Sequence, residues 1–351
     1  HPVWVSPEVD AATGLATGVP VAAVEQALRD DPELRAVFLV EPSYVGMISD
    51  LEPIVALAHG AGVPLIVDQA WGAHLGFHPG LPAHAIARGA DAMVTSTHKT
   101  LTAFTQGSIV VARAGLLDLA RVEDAFELLH TTSPAAAILA SSDRARQLIE
   151  DQGAQLLERT IELVADARSR LRRIDGLHVS EASDPTKLVL GLAGTGADGF
   201  TVEADLLADG VRLEMADRDT LVPIVTLADT AATVGRLVDA LERSLAARRG
   251  PARSLAASSV WSLQAVAVIS PREAFFAPRE RVTADQAVGR VAAETAAPYP
   301  PGIPALAPGE LVTAEILEAL RREAAAGTRV AYCSDPTLET LLVVARGLAS
   351  A

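Results

Sequence analysis

Short apolar runs alternate with helix-like stretches through the first ~110 residues, the pattern of a parallel α/β sheet whose strands are joined by crossover helices. Ala36 to Val40 predicts a buried strand that ends at the turn Glu41-Pro42-Ser43, and Asp50 to His59 predicts a helix with Asp50 as its cap. PLIVD (64–68), the run 92–95 and the run 109–112 predict three further strands. Chain direction then puts Asp68 and the segment Ser96–Lys99 just beyond the carboxyl ends of their strands, where open α/β sheets bind ligands. One long amphipathic helix is predicted from Ser142 to Arg173, closed by Asp175-Gly176. After it, KLVLGL, VRLEM and LVPIVTL read as strands of a small α+β unit. RRGPARS (248–254) reads as a linker, and PYPPGIPALAPGE (298–310) as the Pro-rich centre of a third unit. The expected domains are therefore 1–150, 151–250 and 251–351.

Composition narrows the class of function. The chain has 351 residues, half of them hydrophobic, and one cysteine, Cys333, which excludes an internal disulfide framework and fits a reducing, cytoplasmic compartment. Gly, Pro or a charge interrupts each apolar stretch, so no membrane helix is expected. A net charge of −15 argues against nucleic acid as a partner, because that role needs a concentrated basic surface. The basic residues themselves are informative. Of 29 Lys and Arg, only Lys99 and Lys187 are lysine. Arg holds its proton too firmly to act as a nucleophile, whereas a desolvated Lys amine can attack a carbonyl. Lys187 sits ahead of a strand and reads as a solvated cation; Lys99 does not.

VDQAWGAH (67–74) is followed, 31 positions after Asp68, by Lys99 in STHKTL (96–101). Pyridoxal 5'-phosphate needs an amine for an internal imine, an acid facing its ring nitrogen, and donors for its phosphate. Lys99 can supply the first and Asp68 the second, by direct charge pairing with the pyridinium. Ser96 and Thr97 hydroxyls can supply part of the third, and His98 can bond the phosphate or relay a proton. His59, His74, His78 and His84 match no usual metal spacing, so no metal is expected.

With those segments, EPSYVGMISDL (41–51), GADAMVTSTHKTLTAFTQGS (89–108), TTSPAAAILASSDRAR (131–146), DPTKL (184–188), SPREAFFAPRERV (270–282), AVGRVAAE (287–294) and the Pro-rich run, the chain resembles the Orn/Lys/Arg decarboxylases. These are pyridoxal-phosphate enzymes of the aspartate-aminotransferase, or type I, fold. The resemblance implies a mostly parallel sheet in a large domain, a small α+β domain and a C-terminal α+β domain. It implies decarboxylation of arginine, lysine or ornithine, the amino acid being the small-molecule partner. Lys99 would be the imine lysine, Asp68 the partner of the pyridine nitrogen, and Ala70 the small residue packed on the ring. Ser96 and His98 would reach the phosphate, and His98 or the freed Lys99 would return a proton to Cα. Thr131 and Thr132 would contribute from a neighbouring subunit of a homodimer, and Glu294 would meet the distal cation of the substrate. Gln69 and Trp71 depart from the Glu and His of many relatives, and TTSPAAA lacks an aromatic residue after its Pro. The family's Gly/Ser-rich phosphate loop and ring-stacking histidine fall upstream of the position matching His1, so the first part of the sequence is expected to be missing. Another type I reaction and a non-catalytic relative are the rival expectations.

Overall fold

The computed structural model describes residues 2–10, 13–253, 260, 263, 265–299 and 302–346. The first part contains a small hairpin, β1 (Glu8–Val9) and β2 (Ala16–Gly18), then α1 (Val21–Asp30), β3 (Val37–Val40), α2 (Leu51–Gly60), β4 (Leu65–Asp68), β5 (Ala92–Ser96) and β6 (Ser108–Ala112). Strands β3, β4 and β5 are parallel neighbours in that order, and β6 closes the sheet antiparallel to β5. The expected strands and the expected α2 are thus present and the sheet is mostly parallel, but the run expected as a buried strand is covered on one face only, with Phe38 and Val40 of β3 exposed. Val37, Leu39, Leu65 and Val67 alternate toward the core with Ile54, Ala58 and Val24 of the covering helices. Asp50 occupies the N-cap of α2, but its side chain makes no capping hydrogen bond.

Helix α3 (Leu119–Leu129) follows and buries none of its residues, leaving Phe126, Leu128 and Leu129 exposed. The long helix α4 runs over Ala136–Leu171, starting six residues earlier than its polar pattern suggests. It carries the chain to a second core built from β7 (His178–Val179), β8 (Leu190–Gly191), α5 (Gly199–Ala208), β9 (Met215–Ala216), β10 (Thr220–Val222) and α6 (Ala231–Ala247). These strands pair antiparallel in the order β7-β8-β10-β9. Leu188, Leu190, Leu206, Leu221 and Leu241 fill the core beside Val164 and Leu171 of α4. VRLEM is not a strand over its length, since only Met215 joins the sheet. The expected linker is docked over its described residues. Arg248 pairs with Asp205 at 2.8 Å and Arg253 with Asp219 at 2.7 Å, so charge rather than apolar packing ties it down. Ser254 lies outside the described residues.

The last part has α7 (Pro271–Phe276), β11 (Arg279–Thr283), α8 (Ala284–Ala287), β12 (Ala297–Tyr299), α9 (Ala314–Ala325), β13 (Arg329–Ala331) and β14 (Thr340–Val344). Antiparallel pairs β11–β14 and β12–β13 pack on α9 through Ile316, Leu320, Val330 and Val343. Pro300 and Pro301 of the Pro-rich run lie outside the described residues. Among the described residues no helix is long and apolar enough to cross a membrane.

Candidate active site

Strand β4 ends at Asp68, and a turn follows at Ala70 and Trp71. Ala70 N–H donates to Asp68 Oδ1 at 2.9 Å, which fixes the carboxylate at the strand's carboxyl end. Gln69 is buried; its amide oxygen accepts from Ala85 N–H at 2.8 Å and its amide nitrogen donates to Gly72 O at 3.0 Å. An amide, which both donates and accepts, suits that position better than a carboxylate. Beyond β5, Thr97 N–H donates to Gly107 O at 3.0 Å, and His98 Nδ1 lies 2.8 Å from the same oxygen. A carbonyl only accepts, so Nδ1 carries the proton and Nε2 presents its lone pair. A Cβ on Gly107 would crowd the Thr97 and Ser142 hydroxyls, which explains the glycine.

Lys99 opens into a cavity of about 280 Å³. Its walls come from the loop after β5 (His98 to Thr102), from Leu157 and Thr160 of α4, from Thr186 and Lys187, and from residues 224–228 of the second core. The site is therefore a junction between the first sheet, the long helix and the small unit. Lys99 Nζ stands 5.0 Å from the centroid of the Trp71 ring, and Lys187 Nζ 4.1 Å from it. Trp71 is held edge-on by Tyr44 with ring centroids 5.1 Å apart, and the Tyr44 hydroxyl donates to Glu214 at 3.0 Å. Burial, then the Glu214 charge, pushes the Tyr44 phenol well above its ordinary range.

Lys187 is only 4% exposed, so the expected solvated cation is in fact a buried one. The reason is long-range. A Cβ on Gly46 would overlap Lys187 Cγ, so the loop after β3 clamps the lysine stem. Arg168 of α4 donates to its carbonyl. Burial pulls the Lys187 amine down to about 8, with Asp184 and Glu214 pulling it up and Lys99 pushing it further down. Beneath it lies a buried pair, His74 Nε2 to Asp184 Oδ2 at 3.0 Å, and the Thr186 hydroxyl donates to Asp184 Oδ1 at 2.7 Å. Burial raises the Asp184 carboxyl, but His74 and Thr186 outweigh it and hold the group at about 2. The signal for Lys187 in the sequence was its rarity: it is the second of two lysines in the chain.

The lining of this cavity takes in Lys99 and His98 of the sequence-predicted set. Asp68 and Ser96 occupy the ends of the adjoining strands β4 and β5, where Asp68 pairs in register with Val94, and Ala70 follows two residues after Asp68. Thr131 and Thr132 lie in the exposed connection between α3 and α4, outside the cavity. Glu294 lies in the last part of the chain, 7% exposed, and each of its oxygens accepts a main-chain N–H, from Ser334 and Leu342, at 2.6 Å. Arg290 is tied to the Val344 carbonyl at 2.8 Å and to Glu280. Among the described residues no group of three or more His, Cys, Asp or Glu is placed to hold a metal.

The donor set suits a phosphorylated pyridine aldehyde: a cavity amine at Lys99, a fixed carboxylate at the next strand end, and hydroxyls around them. Thr100 Oγ1 lines the cavity and is a buried hydroxyl without a hydrogen-bond partner among the described residues, as expected of a wall that serves a ligand.

Comparison with known proteins points the same way. Residues 1–193 match the family "Orn/Lys/Arg decarboxylase, major domain", and residues 257–328 match "Orn/Lys/Arg decarboxylase, C-terminal domain". The chain is 35% identical to an arginine decarboxylase of Halalkalibacterium halodurans over 356 residues, covering 98% of this chain and 72% of that protein. It is 34% identical to the arginine decarboxylase of Bacillus subtilis over 362 residues, with the same coverage. Among solved structures, lysine decarboxylase A from Pseudomonas aeruginosa superposes with a TM-score of 0.80 at 21% identity. That superposition covers 98% of this chain and 63% of the solved one, so the chain spans less than two thirds of that structure.

Proposed function

The chain belongs to the Orn/Lys/Arg decarboxylase family, a family of pyridoxal-phosphate enzymes, and we propose that it removes the α-carboxylate of a basic amino acid, arginine by preference. The preference for arginine is supported by the relatives named above. The observation that carries the site is the placement of Lys99 in a cavity at the carboxyl edge of β5, one strand over from Asp68.

Pyridoxal phosphate, when bound, supplies an electron sink for the pair left on Cα. Lys99 offers the amine that would hold the cofactor aldehyde. Asp68 would keep a proton on the pyridine nitrogen, and its bond from Ala70 N–H keeps the carboxylate from turning away. Ala70 leaves room for the ring where a larger side chain would not. The Ser96 hydroxyl and His98 would hold the phosphate. His98, with Nδ1 pinned to Gly107, takes up or delivers a proton only at Nε2. That atom or Lys99 Nζ returns the proton to Cα. Glu294 would meet the distal cation only with lone pairs left over from its two main-chain bonds.

The three units are taken to divide near residues 150 and 250. A homodimer is supported by the exposed apolar residues of α3 and of β6, among them Leu128, Leu129, Ile109 and Val110. In such a dimer Thr131 and Thr132 would approach the partner's cofactor. The single thiol fits a cytoplasmic enzyme.

Addition of pyridoxal phosphate, borohydride reduction and peptide mapping test the assignment. A pyridoxyl label on Lys99, lost in Lys99→Arg, is expected, together with release of carbon dioxide from arginine. A label elsewhere, or an unchanged yield in Lys99→Arg, refutes the scheme.

A further inference from the structure

The Lys99 cavity is lined by two lysines, Lys99 and Lys187, and by His74 and His98, and no Asp or Glu is among its lining residues. Such a cavity attracts an anion and repels the distal cation of a basic amino acid. A basic amino acid has one anionic group, its α-carboxylate. Lys99 is engaged in holding the cofactor, which leaves Lys187.

Lys187 is built to present a charge rather than to be neutralised within the chain. Its stem is clamped against Gly46, and its carbonyl is held by Arg168. Among the described residues its ammonium forms no ion pair. The neighbouring Asp184 is committed to His74 at 3.0 Å and to the Thr186 hydroxyl at 2.7 Å. A buried cation without an anionic partner is unfavourable in the free protein and is offset when an anion binds. Lys187 Nζ and Lys99 Nζ lie 4.1 Å and 5.0 Å from the centroid of one indole ring, so a group bound by one lies close to chemistry at the other.

The geometry points to Lys187 as the anchor for the α-carboxylate of the amino-acid substrate, a group that sets which end of the molecule enters the cavity first. This assignment rests on the decarboxylase reading above. A softened charge suits the role: burial brings the amine to about 8, so the carboxylate is held without being over-stabilised against departure as carbon dioxide.

The test uses the full chain with pyridoxal phosphate reduced onto Lys99, which blocks turnover and leaves binding. Affinities for L-arginine and for agmatine, the same molecule without its carboxylate, are measured by isothermal titration calorimetry, and L-lysine with cadaverine gives a second pair. Lys187→Met keeps the stem and removes the charge. It is expected to weaken amino-acid binding by about 10- to 100-fold, the scale of a lost charged hydrogen bond, while the amines change by less than about 2-fold. Lys187→Arg should restore part of the preference. Equal weakening of amino acid and amine, or no carboxylate preference in the unmutated protein, overturns the assignment. Parallel titrations of the unreduced protein with pyridoxal phosphate and with pyridoxal separate the other anion in the site. If Lys187→Met weakens only the phosphorylated form, the lysine serves the phosphate and the carboxylate assignment is wrong. Thermal unfolding checks the fold of the variant, and Lys187→Gln carries the same comparison if Met does not fold. Absence of the Lys99 label in unmutated protein refutes the decarboxylase reading instead. A label without carboxylate preference refutes only the role of Lys187.

Discussion

Lys187→Met should make the protein free of ligands more stable at neutral pH. The folded chain holds the Lys187 amine at about 8, against 10.5 for an unperturbed lysine, chiefly because burial disfavours its charge. Below pH 8 the folded state carries the full penalty of the buried ammonium. Between about 8 and 10.5 the unfolded chain binds more protons than the folded one, so stability rises with pH, and above 10.5 the penalty is gone. At about 1.4 kcal/mol per pH unit the gap corresponds to about 3 kcal/mol. Methionine forfeits the contact between the buried ammonium and Trp71, worth about 2 kcal/mol when desolvated. The net expectation is a gain of about 1 kcal/mol at pH 7 that shrinks as pH rises from 8 toward 10.5. Urea unfolding of both proteins at intervals from pH 6 to 10.5 measures it, with an unchanged slope as the sign that only stability moved. A variant less stable at pH 7, or a difference that stays flat with pH, would show that the ammonium is not buried at a cost.

Three other perturbations probe the same neighbourhood and its supports. Asp184→Asn strips the buried His74 of its partner and should cost about 3–5 kcal/mol in urea unfolding. Because Asp184 is held at about 2 against an ordinary 3.8, its contribution is complete above pH 3.8 and is lost as pH falls toward 2; the variant should show a shallower acid limb there. Gly46→Ala forces a side chain into a left-handed position at φ +82° and against the Lys187 stem, with an expected loss of about 2–5 kcal/mol by the same measurement. Glu294→Ala leaves two part-buried main-chain donors unanswered and should destabilise the last part of the chain by about 1–3 kcal/mol. Unchanged thermal unfolding would mean that its carboxylate is held for a ligand and not for the fold.

The strand-end half of the candidate site was legible because its geometry is local. A strand ending at Asp68, a second ending at Ser96 and a lysine three residues later are fixed by period and chain direction, and β4 and β5 do lie side by side. Lys187 was misjudged because its burial depends on Gly46 and Arg168, which come from a loop and a helix far away in the chain. Nothing in DPTKL itself distinguishes a lysine that points to water from one roofed by a distant loop. The two main-chain bonds of Glu294 were illegible for a related reason. AVGRVAAE does not show that Leu342 of β14 and Ser334, about 40 or more residues on, supply the N–H groups that its carboxylate accepts. Short strands such as β7 and β8 fall below the length at which alternation can be read.

The division of charge across the molecule follows from the same facts. The chain carries a net −15, yet its cavity is lined by two lysines and by no Asp or Glu. Acidic groups nearby are used up elsewhere: Asp184 on His74, and Glu214 on the Tyr44 hydroxyl that steadies Trp71. Each arrangement keeps a carboxylate close enough to sustain Lys187 as a cation at neutral pH and too committed to neutralise it by contact. If Asp184 paired directly with Lys187, the lysine would gain stability and lose its capacity to bind an anion. The buried His74–Asp184 pair is therefore the reason that Lys187 remains available, and it makes removal of that histidine a change felt first in anion binding.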